Sequence, residues 1–255
     1  MTLQNPIAPH CRAMAGVVAP HTARQTPGGY LPTTHGSEGA GGAFGGRGAR
    51  VGGPRALDLF CGAGGASMGL HRAGFDVTGV DIRPQPRYPF RFIQADATRP
   101  PVRLEDFDFV WASPMCQAHS VGSKRWHKGW PCQIAPIREL LQSSGRPWCI
   151  ENVPGAPIRA DLVLTGPTFG LKTWRRRHFE ISGFYCMEPP RGRVQGPKTT
   201  PGFCTVAGHG GDGPNRYAAW AEAMGIDWMD KDGIRQSIPP AYSEFIGRAI
   251  LESIR

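Results

Sequence analysis

The segment between Ala56 and Asp81 constrains the fold more than any other part of the sequence. The apolar run 56–60 is short enough for a strand buried on both faces, and the apolar spacing over 66–73 predicts a short helix. A second apolar run, 77–80, ends at Asp81. The order strand, glycine turn, helix, strand and acid is typical of a nucleotide-binding unit in an α/β protein.

The glycine turn indicates what this unit holds. Gly62, Gly64 and Gly65 carry no side chains, so the backbone and a ligand can approach closely. Asp81 ends the second strand, where a carboxylate can accept hydrogen bonds from a ribose. Ser67 stands where the dinucleotide motif has its third spaced glycine. A pyrophosphate is therefore not required, and adenosylmethionine is as good a candidate as a nicotinamide.

Length and composition limit the kinds of partner that the protein is expected to bind. The 255 residues allow one sizeable core, with or without a small lobe, and the formal charge of +9 favours an anionic partner. No run of eighteen apolar residues exists, which puts nucleic acid ahead of a membrane. Seven scattered cysteines without a CxxC pair predict reduced thiols in a cytoplasmic compartment and no metal site.

Residues 1–54 differ in composition from the rest of the sequence. They contain twelve glycines and six prolines among few bulky apolar residues, which predicts disorder. A solvated tail is one interpretation, and an over-long start with Met14 as the true initiator is a related one. An arm that contacts DNA is the alternative.

Further strands are predicted at 91–94, 107–112 and 147–150, with a helix at 137–142 before the last of them. This order favours a doubly wound, mostly parallel sheet. Ligands of such sheets bind beyond the carboxyl ends of the strands, so the residue clusters at those ends should converge. These clusters are the glycine turn, Asp81, Asp96, Cys116 and Glu151.

Two of these residues suggest chemistry. Cys116 follows a strand and is succeeded by polar residues, which suits an accessible thiol, although a lone cysteine can also be a small buried hydrophobe. Glu151 comes directly after an apolar run, so burial should raise its pKa and let it carry a proton near neutrality. A helix cap or an ion-pair partner is the alternative for Glu151.

Four motifs occur in a fixed order: DLFCGAGG at 58–65, PMCQ at 114–117, ENV at 151–153 and RRR at 175–177. In this order they resemble the successive motifs of the cytosine-5 DNA methyltransferases, from Ala56 to the C-terminus. The resemblance implies a Rossmann-like, class I methyltransferase fold that uses S-adenosylmethionine. It also implies duplex DNA as the partner, with the target cytosine flipped out of the helix.

The resemblance assigns roles to particular residues. Cys116 becomes the nucleophile that attacks C6 of cytosine, and Glu151 protonates or hydrogen-bonds N3. Arg175 and Arg177 support the target base and the cysteine site. The cofactor contacts carried over are Phe60, Gly62, Gly64 and Gly65 at the methionine end, Asp81 and Ile82 at the ribose and adenine, Asp96 at the adenine amino group, and Pro114 beside the cofactor.

Two further segments extend the resemblance. Cations and tryptophans alternate over 123–130, which suits a loop that closes over DNA or a basic loop packed on the body. An apolar stripe over 242–250 predicts a helix that packs on the body and, in the family, returns beside the glycine loop. The expected division is a tail (1–54), a catalytic domain (55–182), a reduced recognition region (183–236) and this helix (237–255).

The sequence also departs from the family. Met115 stands where most members have a proline before the cysteine, which puts the pre-organisation of that loop in question. The short region after Arg177 predicts short or relaxed sequence specificity. Rival hypotheses are an RNA (tRNA) cytosine-5 methyltransferase and an inactive DNA-binding module. A monomer in the cytoplasm of a bacterium or a phage-infected host is expected, with its role in restriction, self-protection or regulation left open.

Overall fold

The computed structural model describes residues 53–115, 132–190, 202–206 and 216–254, all within the compact unit 49–255. In this part of the chain seven strands form one sheet in the order β3-β2-β1-β4-β5-β7-β6. The strands are β1 (Arg55–Leu59), β2 (Asp76–Asp81), β3 (Arg91–Gln94), β4 (Phe109–Ala112), β5 (Trp148–Asn152), β6 (Leu162–Leu164) and β7 (Arg177–Ser182).

The pairing of the strands confirms the predicted fold class. β1 pairs in parallel with β2 and β4, β2 with β3, and β4 with β5. β7 is antiparallel to both β5 and β6. The chain leaves β1 toward β2 on one side and later returns to β4 on the other. The switch point of this doubly wound sheet therefore lies between β1 and β4, where ligands of such sheets bind.

Each face of the sheet carries its own core, which explains the unbroken apolar character of the central strands. Ala56 and Phe109 belong to one core, which includes residues of α1 (Gly65–Ala73) and α5 (Pro240–Ser253). Leu57 belongs to the core on the other face, with residues of α2 (Ile134–Ser143). The alternation of neighbouring residues between two buried faces is the strand period of two.

α1 and α5 approach each other at glycines. A Cβ at Gly69 would overlap the carbonyl oxygen of Pro240, and one at Gly247 would lie 2.8 Å from Cβ of Ala73. The predicted C-terminal helix is confirmed, because the stripe that includes Tyr242 and Ile246 is buried against the body. The helix spans Pro240–Ser253, within the predicted segment 237–255 and beyond both ends of the apolar stripe.

A small lobe lies between β7 and α5 in the sequence. It contains α3 (Arg216–Met224) and α4 (Lys231–Gln236), and its own apolar cluster includes Trp220 and Ile234. The sequence predicted neither helix, nor β6. The predicted strand 107–112 begins at Phe109, because a short 3-10 turn ends at Asp106, and β5 extends through Asn152.

No helix in the described ranges is both long enough and apolar enough to cross a bilayer.

Candidate active site

A crevice of about 530 Å³ lies at the carboxyl ends of the parallel strands. It brings together ten of the twelve residues that the sequence singled out: Phe60, Gly62, Gly65, Asp81, Ile82, Asp96, Pro114, Glu151, Arg175 and Arg177. Gly64 is not among its lining residues, and Cys116 lies outside the described residues, as does the segment 123–130. Met115, which directly precedes Cys116, lines the crevice.

Only part of the glycine turn is open to a ligand, whereas the sequence predicted that all three glycines would allow a ligand to approach. A Cβ at Gly62 would meet nothing within 4 Å, so the turn is open there. At Gly64 it would lie 3.1 Å from the ring of Tyr88, and at Gly65 it would overlap the hydroxyl of Ser237. Two of the three glycines therefore make room for side chains of the protein itself. Phe60 begins the turn with a φ of 61°, a left-handed backbone uncommon for a bulky residue.

Asp81 holds the glycine turn and still has capacity for a ligand. One of its carboxylate oxygens accepts the backbone N–H of Gly62 at 2.9 Å, and the other accepts that of Arg83 at 2.9 Å. Each oxygen has a second lone pair, which suits ribose hydroxyls. The next residue, Ile82, is 66% exposed on the crevice wall, where an apolar side chain can cover a purine face.

Asp96 lies on the same wall as an ionised acceptor. Its Oδ1 accepts the backbone N–H of Thr98 at 2.9 Å and the Thr98 hydroxyl at 2.8 Å. These hydrogen bonds lower the pKa of Asp96. The carboxylate can accept a further hydrogen bond from an amino group.

Asp58 is a crevice residue that the sequence analysis did not single out. It is fully buried at the end of β1, and its Oδ2 accepts the hydroxyl of Ser67 at 2.5 Å. Its Oδ1 has no hydrogen-bond partner, and burial raises the pKa of Asp58 to about 7. A buried acceptor without a donor is costly, so a cationic donor from a ligand would stabilise it. The ammonium group of S-adenosylmethionine fits this requirement.

Glu151 is the buried carboxyl that the sequence predicted. It is 6% exposed, and Arg177 Nε lies 2.8 Å from its Oε1, in an ion pair without an aligned hydrogen bond. Burial raises the pKa of Glu151, and Arg177, a hydrogen bond from Ser113 and the charge of Arg175 partly offset this. The two interpretations offered for Glu151 thus both hold, because it is desolvated and also paired.

Backbone and side-chain contacts fix the segment that leads into Cys116. The buried amide of Asn152 donates to the carbonyl oxygen of Pro114 at 3.0 Å. Trp111 Nε1 donates to the hydroxyl of Ser113 at 2.8 Å. The residues before the cysteine are therefore held from β5, although Met115 replaces the expected proline. The sequence named Asn152 only as part of a motif and did not name Ser113.

Arg175 braces a wall of the crevice. Its guanidinium donates to the carbonyl oxygens of Val206 at 2.5 Å, Arg235 at 2.6 Å and Ser237 at 2.7 Å. Arg175 precedes β7 with a φ of 22°, whereas Arg177 is the first residue of that strand. Both arginines line the crevice, but their contacts differ: Arg177 pairs with Glu151, and Arg175 holds the segment 235–237.

Comparisons with known proteins agree with this fold. A family model described as a methyltransferase domain matches residues 57–122, which include the end of β1, the glycine turn and β4. The crystal structure of the Dnmt2 methyltransferase of S. pombe superposes with a TM-score of 0.53 at 13% identity, covering 79% of this chain and 99% of that one. The methyltransferase EhMeth of Entamoeba histolytica gives a TM-score of 0.53 at 10% identity, with the same coverage of 79% and 99%. No curated protein matches the sequence.

The sheet order and the structural neighbours define the fold, which is that of the class I methyltransferases. A methyltransferase-domain model matches part of the chain, and the crevice suits S-adenosylmethionine as its cofactor. Bound S-adenosylmethionine supplies an electrophilic methyl group. The crevice residues that would hold it are Asp58, Gly62, Asp81, Ile82 and Asp96.

Proposed function

We propose that the protein methylates C5 of cytosine in DNA through a covalent adduct of Cys116. The observation that carries the proposal is the position of Glu151. This buried carboxyl, paired with Arg177, shares a crevice with the cofactor loop and with Pro114 and Met115, which lead directly into the cysteine.

The chemistry explains why a thiol and a buried carboxyl are needed together. C5 of cytosine is a poor nucleophile until a thiolate adds at C6 and converts the ring to an enamine. After C5 is methylated, a base removes the C5 proton and the carbon–sulfur bond breaks, which releases the thiolate. Charge develops at N3 when the thiolate adds, and an acid that contacts N3 stabilises it.

Glu151 suits the N3 role because of its surroundings. Burial raises its pKa, which favours sharing a proton with N3, while Arg177 keeps the carboxyl in place. Its Oε1 lacks an aligned donor, which leaves an acceptor for the amino group of cytosine or a protonated N3. A base within a duplex could not reach this crevice, so the proposal requires base flipping.

The distribution of charge supports a nucleic acid substrate. Residues 116–131 contain Lys124, Arg125 and Lys128 and no acid, and residues 191–201 contain three further cations and no acid. Cationic segments of this kind neutralise phosphates. We further propose that 183–236 forms a reduced recognition region after the catalytic domain 55–182, and that specificity is short or relaxed.

A trapping experiment tests the proposal. The full-length protein is incubated with S-adenosylmethionine and duplex DNA that contains 5-fluorocytosine, from which no C5 proton can be removed. We expect a denaturation-resistant complex that Cys116→Ser abolishes, Glu151→Gln reduces by about 100-fold or more, and the exposed-cysteine control Cys132→Ser leaves unchanged.

The outcomes separate the alternatives. DNA binding without an adduct supports the inactive binding module, and an adduct that forms with fluorinated tRNA but not with DNA assigns an RNA substrate. An adduct that persists in Cys116→Ser contradicts the proposed nucleophile. Bisulfite sequencing of DNA from an expressing host should show a context of about two or three bases, since base contacts scale with the size of the recognition surface. A strict six-base site would contradict the specificity proposal.

A further inference from the structure

The side chain of Tyr88 packs against two glycines, at positions where a Cβ would crowd or overlap it. It lies in the connection between β2 and β3, and its ring is 3.1 Å from the position of a Cβ at Gly64. A Cβ at Gly79, in the middle of β2, would overlap the phenol oxygen of Tyr88. A glycine within a strand costs stability. The presence of glycine at position 79 therefore indicates that the tyrosine is required in this position beside the glycine turn.

The phenol group ends a buried chain of hydrogen bonds. Tyr88 Oη lies 2.7 Å from Ser67 Oγ, and the Ser67 hydroxyl donates to Asp58 Oδ2 at 2.5 Å. Because the one hydroxyl hydrogen of Ser67 goes to Asp58, the hydrogen between Tyr88 and Ser67 comes from the tyrosine. Burial raises the pKa of Tyr88 above its usual range, so the phenol remains a donor.

The direction of these hydrogen bonds determines which carboxylate oxygen of Asp58 is left for a ligand. The Ser67 hydroxyl, which accepts from Tyr88, donates to Oδ2 of Asp58, and Oδ1, which has no partner, is left for a ligand. A chain of hydrogen bonds that ends on a carboxylate favours its ionised form and restrains its orientation. Opposing this, burial and the charges of Asp81 and Glu151 favour the protonated form.

The same tyrosine anchors a wall of the crevice. Residues from Ile82 to Arg87, directly before Tyr88 in the sequence, line the crevice. The Cys61 thiol, in the glycine turn, is hydrogen-bonded to the phenol group. Tyr88 therefore joins the adenosine side of the crevice to the residues that face the amino-acid side.

We propose that Tyr88 is a positioning residue for the cofactor: through Ser67 it orients Asp58, so that Oδ1 receives the ammonium group of S-adenosylmethionine. This inference concerns cofactor binding and does not depend on which substrate is methylated. It predicts that loss of the phenol hydroxyl weakens ligands with the amino-acid group and spares ligands without it.

Calorimetric binding to the full-length protein at pH 7.5 tests this inference. The ligands are S-adenosylhomocysteine, which carries the ammonium group, and 5′-methylthioadenosine, which lacks the amino-acid part. Tyr88→Phe keeps the ring in its slot and should weaken S-adenosylhomocysteine by about three- to tenfold. Binding of 5′-methylthioadenosine should change by less than about twofold. The exposed-tyrosine control Tyr185→Phe should change neither.

A second variant keeps the test decisive if Tyr88→Phe folds poorly. Ser67→Ala interrupts the chain one step closer to Asp58 and should weaken S-adenosylhomocysteine by at least as much. Because Tyr88 acts through Ser67, the double variant should bind no more weakly than Ser67→Ala alone. Equal weakening of both ligands by Tyr88→Phe, unchanged binding of S-adenosylhomocysteine, or multiplicative effects in the double variant would each overturn the proposal.

Discussion

Arg177→Met should destabilise the protein through the charge that it leaves behind on Glu151. The two side chains are 15% and 8% exposed and lie 2.8 Å apart. At that distance the gross attraction is about 6 kcal/mol for an effective dielectric constant of about 20. Removal of one partner of a buried pair typically costs about 3–5 kcal/mol, a large fraction of the stability of a domain.

The loss should depend on pH in a direction that the structure sets. Burial already raises the pKa of Glu151, and without Arg177 it rises further. The folded variant then holds a proton that the unfolded chain releases, so the stability of the variant falls as pH rises from the unfolded pKa toward the folded one. The destabilisation should therefore be larger at pH 8 than at pH 5.

Urea denaturation at pH 5 and pH 8 measures this effect, with Arg176→Met as the control because Arg176 is the exposed neighbour. Glu151→Gln combined with Arg177→Met should recover most of the lost stability, since no buried charge is left unpaired. A loss that is equal at both pH values, or no larger than that of the control, would refute the reasoning.

Three further predictions concern the framework and the crevice. Gly69→Ala should lower stability by about 1–3 kcal/mol, because its Cβ overlaps the backbone of Pro240, and an unchanged melting temperature would contradict this close packing. Glu180→Gln should cost about 1.5–3 kcal/mol in urea denaturation, since the buried Glu180 receives two hydrogen bonds from Arg138, at 2.8 and 2.7 Å; a loss under about 1 kcal/mol would mean that the pair is unimportant. Because the folded pKa of Asp58 is about 7, above an ordinary 3.8, ligand-free stability should fall by about 3 kcal/mol as pH rises from 4 to 7. Asp58→Asn should remove this slope, and an identical slope in the variant would show that other groups cause it.

The sequence was sufficient for the parts of the fold that depend on local pattern. The runs 56–60 and 77–80 predicted buried strands, and the helix stripe containing Ile246 predicted the C-terminal helix. The convergence of Asp81, Asp96 and Glu151 followed from one rule, that carboxyl ends of parallel strands meet at one edge of a sheet. These predictions needed no knowledge of which side chains touch.

What the sequence could not supply were contacts between distant residues. The hydrogen bonds of Arg175 reach carbonyl oxygens 60 and 62 positions away, and the slot for Tyr88 depends on Gly79 in another element. The helix Lys231–Gln236 was missed because six residues are too few for a periodic signal. Asp58 was passed over because a single acid inside an apolar run carries no pattern of its own.

The central claim is that this crevice transfers a methyl group to C5 of cytosine in DNA. The most direct measurement is incubation of the protein with duplex DNA and S-adenosylmethionine labelled in its methyl group, followed by digestion and mass spectrometry of the nucleosides. Labelled 5-methyl-2′-deoxycytidine that disappears in Cys116→Ser is the result expected. Label found only in another nucleoside, or labelled 5-methyl-2′-deoxycytidine formed undiminished by Cys116→Ser, would contradict the account.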